Sequence, residues 1–256
     1  MVFRTRREFR MLEIPMAAAS MFRRRSKSPQ SDLGPGRFSA SLPIFMNPNL
    51  SAFEAALRRR SIKSFKPDPI PDDLRVRLIE AMQSAPSSFN LQPTRVVLID
   101  DPEQKKALSA VAWNQRQITD APLTLVFAVS IRGWEKTMDA MLETAVRGGG
   151  WPQKFADFVR QNAPGFQNAL GDKEREYAIK DAMIMATTAA LVAESFGLGT
   201  CYMNGWSEDG VKKVLGVEGD PDIAIALVLP VGYPAETPKS PGRLPKDLIF
   251  FRNRLK

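Results

Sequence analysis

The chain of 256 residues contains no histidine and a single cysteine, Cys201. The missing imidazole excludes Ser-His-Asp and Cys-His catalysis, in which histidine is the general base. It also removes the usual nitrogen ligand of zinc, and one thiol cannot complete a set of four. No metal is expected. A lone thiol excludes an intrachain disulfide and suits a reducing compartment, so a cytoplasmic location is expected. Between Gly199-Thr200 and Tyr202-Met203, Cys201 reads as a small buried core residue. Long apolar runs are lacking as well. Residues 182–193 hold only twelve residues between Asp181 and Glu194, too few to cross a bilayer, and no membrane partner is expected. Chemistry in such a chain must come from carboxylates, lysines or a cofactor.

Acids are scarce at the start of the chain, and this locates its charge. The formal net charge is +8. Residues 1–45 carry nine Arg or Lys and three acids, a net of +6, which leaves +2 for residues 46–256. The folded part is therefore not expected to bind nucleic acid. Residues 1–48 show no sustained period and read as a disordered basic extension. Two explanations stand side by side: an Arg- and Ser-rich targeting segment, or a start codon set upstream of Met46. A nucleic-acid- or membrane-surface-binding protein acting through this tail is the competing function from another class.

Residues 49–256 are expected to form the folded domain. Ser51 and Glu54 make a capping box for a helix over residues 51–59, with Phe53, Ala56 and Leu57 on one face. Pro71-Asp72-Asp73 starts a helix over residues 74–84, with Leu74, Leu78, Ile79 and Met82 facing inward. Buried strands are expected at residues 95–100, 123–130 and 223–229. Asp101-Pro102 caps and opens a helix to about residue 112. Helices follow at residues 133–147 and 151–161, broken by Gly148-Gly149-Gly150, then at 173–196, ended by Gly197, and at 208–215. Helices interleaved with apolar strands give a layered α+β or α/β architecture. The helix over residues 173–196 is apolar on nearly all sides, and a subunit interface would supply its missing cover. Trp151, Phe155, Phe158 and Phe166 are expected mostly to pack, with at least one serving as a lid over a site.

Two turns carry the densest chemistry. Arg58-Arg59-Arg60-Ser61-Ile62-Lys63-Ser64-Phe65 precedes Ala85-Pro86-Ser87-Ser88-Phe89-Asn90-Leu91-Gln92-Pro93 by about 25 residues. Cations, hydroxyls and amides at two turns suit a ligand with a phosphate at one end and a flat heterocycle at the other. With Trp113-Asn114-Gln115-Arg116-Gln117, Gly197-Leu198-Gly199-Thr200-Cys201-Tyr202-Met203-Asn204-Gly205-Trp206 and Val231-Gly232-Tyr233-Pro234, these segments resemble, in order, the signatures of the nitroreductase family. That family comprises FMN-dependent NAD(P)H oxidoreductases, and the resemblance runs from about residue 50 to 250.

The resemblance implies an α+β fold with a central mixed sheet flanked by helices, in an intertwined homodimer with FMN at the interface. It implies NAD(P)H as co-substrate and ping-pong electron transfer to nitroaromatic, quinone or similar small-molecule acceptors. The same fold also implies alternatives: dehalogenation, enal or aldehyde reduction, or fragmentation of the flavin. By the same resemblance Arg59 and Ser61 bind the FMN phosphate, Arg60 stands between them, and Arg243 is a second phosphate-binding arginine. Lys63 approaches the pyrimidine edge of the ring, where negative charge gathers on reduction. Asn114 and Gln117 bond the ring or ribityl chain, while Pro86, Ser87, Ser88 and Asn90 reach FMN from the partner subunit. Asn204 and Gly205 pass over the ring with their backbone; many relatives carry an acid where Asn204 stands. No catalytic side chain is expected beyond the cofactor.

Overall fold

Strand β2 (Leu123–Ser130) is buried along its whole length because it runs through the middle of a sheet covered on both faces. The structure, a computed structural model, describes residues 50–255. The extension expected over residues 1–48 lies outside the described residues. β2 pairs antiparallel with β1 (Thr94–Ile99) on one side and β4 (Ile223–Gly232) on the other, and β3 (Gly199–Thr200) adds to β4. The order is β1-β2-β4-β3. Among the described residues the parallel component of this sheet is the bridge between Ser61 and Thr200.

Side-chain alternation assigns the two faces. Leu123, Leu125, Phe127 and Val129 of β2 face helices α2 (Asp72–Gln83) and α7 (Glu174–Ser195) in the main core. Val126 and Ala128 face α3 (Pro102–Val111), α4 (Arg116–Asp120) and α8 (Glu208–Val214). A bulge at Phe127/Ala128 leaves Ala226 of β4 without a counterpart, so Ala226 and Leu227 both join the α7 side. Helix α7 meets the sheet through Ala178, Ala182, Ala186, Ala189 and Ala193, a stripe small enough for close approach. α5 (Trp134–Arg147) and α6 (Gln153–Ala169) form a satellite core around Trp134, Leu142, Ala156 and Val159.

Several expected elements agree closely. The capping box of α1 (Ala52–Arg58) is formed: Glu54 N donates to Ser51 Oγ at 3.2 Å, and Ser51 N donates to Glu54 Oε2 at 2.8 Å. Asp101 caps α3, and Gly197 ends α7 with φ +76. Other expectations need correction. Phe53 and Leu57 of α1 are exposed, and Ala55 is the residue that α1 buries. Ile79, Val97 and Leu98 also face outward, so β1 is not a buried strand. Helical and strand periods say which residues share a face, not what covers it. α6 runs on through Pro164 to Ala169 instead of stopping near residue 161, and the five-residue α4 was not expected. No helix among the described residues is long and apolar enough to cross a membrane.

After β4 the chain leaves the core. Residues 235–255 are exposed throughout, including Leu244, Leu248, Ile249, Phe250, Phe251 and Leu255. Among the described residues, the apolar side chains of this arm are left exposed.

Candidate functional site

The end of α1 divides the neighbouring arginines into two roles. Arg60 folds back on the helix, its Nη1 donating to the carbonyls of Leu57, Arg58 and Arg59 at 2.7, 2.9 and 2.9 Å. It satisfies helix-end acceptors that otherwise lack partners. Arg59 has turned into extended backbone, and its guanidinium lies 5.5 Å from the Tyr202 ring centroid. Arg59 Nη1 is buried and has no hydrogen-bond partner. The same holds for Thr200 Oγ1, and these are the two such side-chain atoms among the described residues. A buried guanidinium N–H left unpaired is costly, and an anion is its natural complement. Glu194, near the end of α7, is the local counter-charge: burial pushes its carboxyl up, while Arg58, Arg59 and Arg60 draw it down. Three cations against one carboxylate leave positive charge for a ligand.

Backbone pairing brings the next segment alongside. Ile62 N donates to Thr200 O at 2.9 Å, and Lys63 Nζ donates to Cys201 Sγ at 3.2 Å. Gly199 makes this seam possible: a Cβ there would sit 2.3 Å from Ile62 Cγ1. Cys201 is fully buried, as expected, but it also holds the lysine. Gln115 then ties in the third segment, its Nε2 donating to Gly205 O at 2.9 Å and Ala112 O at 3.1 Å. A Cβ at Gly205 would lie 2.5 Å from Cζ3 of the exposed Trp113, so a side chain there would push that ring aside. Trp113 and Asn114 adopt left-handed backbone, with φ of +55 and +54. The side chains of Asn114, Gln117 and Asn204 make no hydrogen bond within the described residues. Residues 59–63, 113–117 and 200–205 thus converge.

The loop of residues 86–93 stands apart from them. Phe89, Asn90 and Gln92 have φ of +48, +56 and +50, and Gln92 N donates to Ser87 Oγ at 2.9 Å. Ser88 N donates to both carboxylate oxygens of Asp181 at 3.3 Å, and Ser88 Oγ lies 2.9 Å from Tyr177 Oη. A groove of about 350 Å³ opens beside the loop, lined by Ile79, Met82, Pro86, Ser87, Val96 and Asp181 among others. No hydrogen bond, ion pair or ring contact among the described residues joins this loop to residues 59–63, 113–117 or 200–205. Arg243 is also apart, exposed in the C-terminal arm with its Nη1 on Gly242 O at 2.7 Å. One chain therefore assembles Arg59, Arg60, Ser61, Lys63, Asn114, Gln117, Asn204 and Gly205, and leaves Pro86, Ser87, Ser88, Asn90 and Arg243 elsewhere.

Of the four aromatic residues Trp151, Phe155, Phe158 and Phe166, Trp151 packs against the satellite core. Phe155, Phe158 and Phe166 each keep an exposed face, while Phe155 packs on Trp151 and Phe166 on Phe89 and Tyr177. The α6 residues that go inward are Ala156, Val159, Ala163 and Gln167. Sequence reasoning also missed Gln115, Thr200, Tyr202, Tyr177 and Asp181 as parts of the site. Gln115 lay inside a quoted motif, and Tyr177 and Asp181 stand at the i,i+4 spacing that shares a helix face.

Burial raises the Asp181 carboxyl above its ordinary range, and the Ser88 N–H offsets this only in part. A carboxyl raised on folding binds its proton more tightly in the folded state. Its contribution is favourable below the folded pKa and is lost as pH rises through it. Asp181→Asn keeps an acceptor for Ser88 without the charge. The variant's melting temperature relative to wild type should therefore rise between pH 4 and pH 7. Calorimetric scans at both pH values check this; a constant difference would mean that Asp181 does not titrate on folding.

The layered α+β fold places the unpaired, buried guanidinium nitrogen of Arg59 at a seam between segments. The chain belongs to the nitroreductase family, whose profile matches residues 56–233. It is 32% identical over 211 residues to a protein of Thermus thermophilus named NADH dehydrogenase, covering 82% of this chain and 97% of that one. Among solved structures it is similar to the NADPH:FMN oxidoreductase of Vibrio harveyi complexed with NAD+, at 26% identity and a TM-score of 0.61 over 80% of this chain and 78% of that one. A protein of Exiguobacterium sibiricum, described as a nitroreductase and solved with FMN, has a TM-score of 0.71 at 23% identity, covering 81% of this chain and all of that one.

Proposed function

We propose that this chain is an FMN-dependent NAD(P)H oxidoreductase that passes electrons by a ping-pong mechanism to nitroaromatic, quinone or similar acceptors. The observation that carries the reading is the buried, unpaired Nη1 of Arg59, the donor a phosphate dianion would complete. Bound FMN would supply the hydride chemistry that no side chain here can perform. Arg59 and Ser61 would hold its phosphate, while Arg60 serves the helix end. Asn114 and Gln117 offer free amides to the polar edge of the ring or the ribityl chain. Gly205 brings backbone close to the ring, a role independent of the Asn204 side chain.

The functional unit in this reading is a homodimer formed by residues 49–256. The loop of residues 86–93 and Arg243, both apart from Arg59, would complete the site of a second copy. The apolar arm, the exposed Phe53 and Leu57 of α1 and the exposed Ile184 of α7 support a large interface with that copy. The buried single thiol supports a cytoplasmic enzyme. The purified protein should be yellow, with one FMN per subunit, and should oxidise NAD(P)H with a nitro or quinone acceptor. A colourless protein that takes up no added FMN would overturn the proposal.

Lys63→Met should leave FMN bound but lower its two-electron potential and slow its reduction. The oxidised ring is neutral and the reduced ring carries negative charge, so an ammonium anchored on Cys201 favours the product and the transition state leading to it. A charge-assisted bond suggests a shift on the order of 1–3 kcal/mol. Potentiometry of wild type and variant at matched FMN occupancy is the measurement, and equal potentials would remove Lys63 from the ring.

A further inference from the structure

Ser88 is held by helix α7 through two groups one helical turn apart. Tyr177 and Asp181 stand at i and i+4, so both project from the same side of the helix toward the loop. Asp181, only 8% exposed, takes the Ser88 backbone N–H between its two oxygens at 3.3 Å. Tyr177 Oη meets the Ser88 hydroxyl at 2.9 Å. Tyr177 is itself wedged: Phe166 of α6 packs edge-on against its ring at 5.7 Å, and against Phe89, the residue after Ser88, at 5.3 Å. The contacts close a circuit, from Ser88 to Tyr177 to Phe166 to Phe89 and back along the chain.

This circuit is costly to maintain. Asp181 is a carboxylate kept from water, with one shared N–H as its hydrogen-bond partner. Phe89 holds a bulky side chain at φ +48, a backbone state costing about 1–3 kcal/mol. An apolar residue at 181 would relieve the first cost; a glycine at 89 would relieve the second only by giving up the contact with Phe166. What the arrangement secures is the position of Ser88 and one partner for its hydroxyl. With Tyr177 donating to Ser88 Oγ, the serine proton is left to point outward as a donor.

We infer that Tyr177 and Asp181 are positioning residues for the flavin site, fixing the Ser88 backbone and aiming its hydroxyl at bound FMN. The inference rests on the FMN reading above and on the loop serving that cofactor. Neither residue touches the ligand; both act through Ser88. Tyr177→Phe removes one oxygen and leaves the ring contact with Phe166. It frees the serine hydroxyl to turn, so FMN is held by a poorly aimed donor. Asp181→Ala removes the acceptor of the Ser88 N–H, whereas Asp181→Asn retains one.

The test is the FMN dissociation rate of the loaded full chain, followed by flavin fluorescence after dilution, with melting temperatures measured alongside. Tyr177→Phe, Ser88→Ala and Asp181→Ala should each release FMN roughly two- to tenfold faster, the worth of one neutral hydrogen bond. Tyr177→Phe combined with Ser88→Ala should release no faster than Ser88→Ala alone, because both act through one hydroxyl. Asp181→Asn should recover most of the loss seen in Asp181→Ala. Lowered melting temperatures with unchanged release rates would overturn the inference and make the circuit purely structural. So would single effects that multiply in the double variant. Wild-type protein that takes up no FMN would instead overturn the functional reading itself, and this inference with it.

Discussion

Arg59→Ala is expected to weaken FMN binding by roughly ten- to a hundredfold, the equivalent of about 1.5–3 kcal/mol for a lost charged hydrogen bond. The argument is one of pairing. Of the three consecutive arginines at the end of α1, Arg60 is already bonded to three carbonyls. Arg59 carries the buried nitrogen without a partner. A planar guanidinium stacked near Tyr202 has lost much of its freedom before a ligand arrives, so little entropy opposes the new bonds. Arg60→Ala provides the contrast and should loosen the end of α1 with a smaller effect on FMN. Titration of flavin-free protein with FMN, read by fluorescence quenching, decides between them. If Arg60→Ala abolishes binding and Arg59→Ala does not, the phosphate ligand has been misassigned.

The second large effect concerns the arm. A chain ending at Glu236 keeps the bonds from Lys66 N to Tyr233 O and from Ala235 N to Ser64 O, so its core is left whole. It loses Leu244, Leu248, Ile249, Phe250, Phe251 and Leu255, all exposed in the single chain. Burying a large apolar side chain contributes about 1.5–3 kcal/mol, and six of them exceed what a stable dimer can forgo. The truncated chain should run as a monomer in size-exclusion chromatography with light scattering and should fail to retain FMN. A truncated dimer with unchanged FMN content would place the interface elsewhere.

What was legible in the sequence depended on how local its cause is. The capping box of Ser51 and Glu54, the Asp101-Pro102 helix start and the Gly197 stop act within a few residues and could be read directly. The long α7 and the core strands β2 and β4 followed from sustained apolar runs. Phe53, Leu57, Ile79 and Val97 were misjudged because their burial depends on what lies opposite, which one chain's period does not encode. The helix expected over residues 151–161 runs on through Pro164 to Ala169, where Val159 and Ala163 pack into the satellite core. In the site, residues 59–63 were visible as a run. The Lys63–Cys201 contact spans 138 positions and leaves no trace in sequence spacing. Arg60 shows the limit of resemblance: the position was predicted, but the helix end claims its guanidinium.

The left-handed residues of the two loops bear on how this protein can evolve. Phe89, Asn90, Gln92, Trp113 and Asn114 all occupy backbone states in which glycine would be more comfortable. Asparagine tolerates this region, so the strain falls mainly on Phe89, Gln92 and Trp113. Glycine would relieve that strain, but at position 89 it would also give up the contact with Phe166, so the strained side chain is tied to the packing of α6. A lineage drifting toward hotter growth would gain its robustness more readily elsewhere, in the helix ends or the arm, than by rebuilding these two loops.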